Sequence, residues 1–299
     1  MTQSVQTWNK GRSDNYGDPS KPNYRPEWWR QCVLHWDDAL AWTGNLRDLD
    51  FKDCYLTIVP GELREERKAR LQATSPEPFF KDAVKDHTSI FAQFELADDA
   101  PVSLEENKDN VDLEGADLWQ WIQSPLKSFF RDGGVVLGCD INRTVEPGQR
   151  RPRLLSIPLR DVYWVEYRDF DGVSVWSRVA IRRSINILDS NGQLQLRDQY
   201  WSYELDEVQR CFLTVWTQDE HGKLIEGEAV PFVGSDGETL SRLPFSDKLT
   251  VMGSLKLDVD ALIMSPFDDV LSLNIEHYNA RSEFDAVKRK TALPTPVRY

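Results

Sequence analysis

Cysteine is scarce. The chain carries four in 299 residues, Cys32, Cys54, Cys139 and Cys211, spread far apart, with no C-x-x-C and no Cys/His pairing at zinc-site spacing. This argues against a disulfide framework and a zinc module, and predicts four buried thiols in a reducing cytoplasm. Long apolar runs are missing too. No window approaches the roughly 18 uninterrupted apolar residues of a membrane span, and Met1 to Asn23 lacks the apolar centre of a secretory signal. Positive charge is in deficit, with 36 Lys and Arg against 49 Asp and Glu, a net charge of -13. Such a chain is not a counterion-releasing DNA clamp, so contact with nucleic acid is expected to be local or weak. P-loop, G-x-S-x-G, H-E-x-x-H and kinase signatures are absent, and His35, His87, His221 and His277 have no local partner that would make one a base. No enzyme, catalytic residue, cofactor or metal ligand is predicted.

What is present is core material. Hydrophobic residues make up 40% of the chain, with 11 Trp, enough for two domains or one elongated one. Residues 1–26, rich in Gly, Pro, Asn and Ser, read as a flexible arm. Apolar residues at three- and four-residue intervals predict a helix from Glu27 to Trp42, ending near Gly44. Further helices are expected over 61–73, and after Ser75-Pro76 toward Phe94. Nine carboxylates between Glu95 and Asp117 face one Lys108; calcium-loop spacing is missing, so this is a solvated loop. Ala116 to Arg131 reads as a helix kinked at Pro125 and ended by Gly133-Gly134, followed by a buried strand, VVLGCDI.

Beyond residue 153 the periodicity changes to two. Asp171-Gly172 and Asn191-Gly192 are hairpin signals between alternating segments, giving strands near 161–168, 173–184, 193–204 and 208–217 and, after the turn at Asp219 to Gly222, an antiparallel meander of about five. Its aromatics (Tyr163, Trp164, Tyr167, Trp176, Tyr200, Trp201, Tyr203, Trp216) read as core or interface, with a sugar-stacking platform as the alternative. The last element is a helix over 265–292. Ser265 is its N-cap, Pro266 its first residue, and Asp268, Asp269 and Lys288, Arg289, Lys290 match the dipole at its two ends. Its apolar stripe, Phe267, Val270, Leu271, Ile275, Tyr278, Phe284 and Val287, needs a partner and is expected to find it on a neighbouring copy. His277-Tyr278-Asn279 with the basic end faintly resembles a nuclease metal centre; helix-surface polarity explains it better.

Three stretches carry a family likeness: VDLEGADLWQWIQSPLKSFFRDGGVVLGCDI (111–141), RPRLLSIPLRDVYWVEYRDFDGVSVWSRVAIRR (151–183) and SLNIEHYNARSEFDAVKRKTALPTPV (272–297), the last with an Asn-x-x-His-Tyr helix. The chain resembles tailed-bacteriophage portal proteins, in particular a phage and prophage subgroup catalogued as a domain of unknown function. The resemblance spans roughly residues 60–299 and brings no catalytic residues. It implies an α+β chain: the arm 1–26, a wing over 27–260 with N-terminal helices and an antiparallel β-meander, and a stem helix with the start of the clip over 261–299. It also implies a ring of identical subunits, typically dodecameric, at one capsid vertex of the virion, assembled in the host cytoplasm. Terminase, capsid and tail adaptor proteins would be partners, and duplex DNA would pass through, weakly and non-specifically held. Lys288, Arg289 and Lys290 are then candidates for the channel or the clip boundary. Family members continue past the Pro-Thr-Pro segment into clip, second stem helix and crown, so the chain is expected to be the N-terminal portion of a portal. The acidic balance agrees, since a strongly basic channel would hold the polyanion. A β-rich carbohydrate-binding module or enzyme is the alternative.

Overall fold

The two larger of three hydrophobic clusters, one under a sheet and one among helices, organise the described residues; the third gathers Val111, Leu118 and Trp121. The structure, a computed structural model, describes residues 21–24, 27–90, 96–141, 151–188, 194–219, 222–234, 236–245 and 264–292. Helices α1 (Glu27–Thr43), α2 (Leu49–Tyr55), α3 (Arg64–Ala73), α4 (Phe79–Ile90), α5 (Val102–Asn107) and α6 (Leu118–Asp132) come first. Strands β1 (Val135–Ile141) and β2 (Pro152–Pro158) follow. Then come β3 (Val162–Phe170), β4 (Val173–Leu188), β5 (Leu194–Leu205), β6 (Cys211–Gln218) and β7 (Leu224–Pro231), and finally helix α7 (Asp268–Ala292). The architecture is α+β: β1 and β2 form an antiparallel pair, and β3 to β7 an antiparallel sheet in sequence order.

Local chemistry explains most boundaries. Asp171 and Gly172, both at positive φ (48° and 80°), close the β3–β4 hairpin, as a type I′ turn requires. Asp117 caps α6 by accepting from Gln120 N. Gly133 ends it in the left-handed conformation, φ 84°, its N–H donating to Phe129 O; this is the usual glycine C-cap. The Asn191-Gly192 turn lies outside the described residues.

Several expectations need correction. Strand β6 starts at Cys211 instead of 208, because Asp206 Oδ1 accepts from Val208 N and Arg210 N and holds those residues in a turn. The acidic stretch contains α5, and Asp112 spends its carboxylate on the Glu114 and Ala116 N–H groups. Strand β2, bounded by prolines, and the seven-residue α2 were not foreseen. Of the four cysteines expected to be buried, Cys32 and Cys211 are buried, Cys54 is half-buried and Cys139 is exposed on β1. The end of the arm is docked on the sheet: Lys21 Nζ sits 5.1 Å from the Trp216 ring and Tyr24 packs on the core.

The first cluster joins Cys32 and Trp36 of α1 to Val179, Ile181, Tyr203 and Leu213 of the sheet. The second joins Ala39 and Trp42, further along α1, to Phe80, Val84, Phe130, Leu271 and Tyr278. One helix therefore carries residues of both cores. Trp164 sits at a β-bulge with φ 45°, a strained value for a bulky residue. The Arg178 guanidinium lies 3.3 Å from its ring centroid.

Candidate functional site

Helix α7 has two faces that do different things. On the inner face Leu271, Asn274, Tyr278 and Ser282 are buried, a three- and four-residue spacing that puts them on one side of a helix. Tyr278 makes edge contact with Trp42 at 6.2 Å, and burial pushes its hydroxyl up to about 12. Asn274 Oδ1 accepts from Phe80 N, an end group of α4, while its Nδ2 donates to Glu77 O. Asn279 Oδ1 accepts from Thr57 N, and Arg281 pairs with Glu77. Helix α7 begins at Asp268 and not at Pro266 as expected; in the turn before it, Ser265 Oγ donates to Phe130 O at 2.6 Å and accepts from Phe267 N.

This divides the expected stripe. Leu271 and Tyr278 are buried in the chain's own core, and Phe267, Val270 and Ile275 pack against it. Leu271 and Tyr278 are thus covered, and the other three half-covered, by the chain's own helical core. A charge at Ile275 would test folding, not assembly. Phe284 and Val287 stay outside, 67% and 59% exposed.

They belong to a second stripe that the sequence reading missed. Leu273 is 64% exposed, and Leu273, His277, Ala280, Phe284 and Val287 are all exposed at alternating steps of four and three residues. That is the heptad seam one helix presents to another. The signal was legible in the spacing but was merged with the inner face. His277 meets Phe79 of α4 edge-on at 5.6 Å, extending the patch. Lys288 is exposed beside it; the side chains of Arg289 and Lys290 are outside the described set.

No family model and no curated protein matches the chain. Tyr163, Trp164, Trp176, Tyr200, Tyr203 and Trp216 are buried, so they are not a solvent-facing sugar platform. A cleft of about 840 Å³ between β1–β2 and the sheet has apolar walls including Leu137, Leu154, Trp176 and Phe245, with Arg242 its charged member. Among the described residues there is no group of His, Cys, Asp or Glu arranged for a metal, and no helix long and apolar enough to cross a membrane. His221 lies outside the described residues.

The α1–α7 junction brings titratable groups together. His35 Nδ1 lies 3.5 Å from Asp268 Oδ1, and Asp38 accepts a 2.6 Å hydrogen bond from the Tyr55 hydroxyl. The hydrogen bond to Asp268 is the main cause raising His35 above its ordinary value, against its burial. Burial pushes Asp38 up to about 6. The signs agree. His35 contributes stability below its unfolded pKa that is lost as pH rises through its folded value. Asp38, with its pKa raised, binds its proton more tightly in the fold, so stability grows as pH falls from about 6 toward 4. From Asp38 we expect the chain to be about 1 kcal/mol more stable at pH 5 than at pH 8. Urea unfolding at both pH values checks this, with Asp38→Asn removing most of the gain; stability that rises from pH 5 to pH 8 would contradict it.

Proposed function

We propose that this chain is a subunit of a portal-type ring, a structural conduit through which duplex DNA enters and leaves a capsid, meeting terminase on one occasion and tail adaptors on another. The observation that carries the reading is the outer stripe of α7. The inner face anchors the helix on α1 and α4, and Leu273, His277, Ala280, Phe284 and Val287 lie exposed on the other side at heptad spacing. An exposed seam of this kind fits the same helix of a neighbour. The net charge of -13 supports passage of DNA over retention of it.

The test is assembly. Native mass spectrometry and negative-stain imaging of the wild type are expected to give closed rings. Phe284→Asp puts a charge in the seam, so rings should fall to small species while urea stability stays within about 0.5 kcal/mol, as for an exposed position. A wild type that remains monomeric at every concentration, or a Phe284→Asp chain that still forms intact rings, would overturn the stem assignment.

A further inference from the structure

Among the described residues the sheet has two projecting features of opposite character. Strand β4 pairs with β3 only up to Ile181, and β6 pairs with β5 only from Gln199. The ladder between β4 and β5 continues for five further pairs, Ser184↔Asp198 to Leu188↔Leu194. At about 3.3 Å per residue this two-stranded ribbon extends roughly 16 Å past its neighbours. Leu194 and Leu196 on it are each 70% exposed. Alternation puts Ile185, Ile187 and Arg197 on its other face, with Arg183 at its base; all four are half-buried, and the Arg183 guanidinium lies 4.1 Å from the Trp201 ring centroid.

At the sheet's edge, β7 is exposed from Ile225 to Pro231. Among the described residues its outer side has no strand partner. It carries Glu226 and Glu228, no Lys or Arg, and exposed Ile225 and Val230.

Charge decides what each can meet. Acidic residues on an open edge repel a second edge of the same kind, and two ribbons with Arg183 and Arg197 repel each other. A ribbon against β7 matches Arg to Glu and covers apolar residues on both sides. Resting on the ring reading above, we infer that the β4–β5 ribbon of one copy docks along β7 of the next copy. This contact is head-to-tail. It uses different patches on the two copies, and such contacts close into rings when the rotation allows. The acidic edge thus selects its partner as well as guarding against aggregation.

Two charge-reversed chains test it: Glu226→Arg/Glu228→Arg, with a normal ribbon, and Arg183→Glu/Arg197→Glu, with a normal edge. Each alone should need at least about tenfold more protein to assemble than the wild type, since like charges then face each other. Circular dichroism and urea unfolding establish that both fold. Mixed in equal amounts, the two should co-assemble near wild-type concentrations, because in an alternating order every ribbon meets an edge of opposite sign. Reversals that leave assembly unchanged while Phe284→Asp abolishes it would overturn this contact and leave the stem reading standing. Loss in both single chains without recovery on mixing overturns it as well. A wild type that is monomeric throughout overturns both readings, and recovery on mixing with Phe284→Asp rings intact supports this contact against the stem assignment.

Discussion

Gly133→Ala is expected to destabilise the chain by at least about 4 kcal/mol, enough to abolish or nearly abolish folding. Gly133 holds φ 84°, and a Cβ there would lie 2.0 Å from Met264 O and 2.4 Å from Met264 C. Both obstacles are backbone, so no rotamer change relieves them. The left-handed conformation adds its own penalty for any residue with a Cβ. Met264 precedes Ser265, whose hydroxyl is bonded to Phe130 O, so the clash falls where the start of α7 is strapped to the end of α6. Equilibrium urea unfolding reads the loss directly. A Gly133→Ala protein as stable as the wild type would mean that this approach is much looser.

Tyr278→Ala should cost about 3–5 kcal/mol, as for other large buried aromatics. The side chain is 0% exposed, packs edge-on against Trp42 and donates to Lys52 O. Its removal leaves a cavity in the helical core. Phe284→Ala, six residues on, should change stability by less than about 0.5 kcal/mol. The two substitutions delete an aromatic ring from opposite sides of one helix, so their ratio measures how separately the faces act. Similar losses in stability for both would mean that the outer face is buried in the folded chain too.

The parts legible in the sequence were those with a local cause. Asp171-Gly172 announced its hairpin because only positive φ suits that turn, and the end of α6 was marked by a glycine that caps it. Strand β2 shows little apolar alternation, and Pro152 and Pro158 stand at its two ends, where a proline is tolerated. Helix α7 was found, but its stripe was drawn across two faces. Apolar residues occur on both sides of it, and periodicity alone does not say which side meets the chain's own core. Asn274 held the missing clue. A buried amide spent on Phe80 N and Glu77 O marks the inner face, and that pairing spans nearly two hundred residues of sequence. Nothing local to residue 274 could show it.

Helix α1 places Cys32 and Trp36 in the sheet core and Ala39 and Trp42 in the helical core. Helix α7 meets α1 where Tyr278 touches Trp42. Six residues of one helix, about 9 Å, separate Trp42 from Trp36. The two cores thus share a single beam, and a substitution that dislodged α1 would loosen both together.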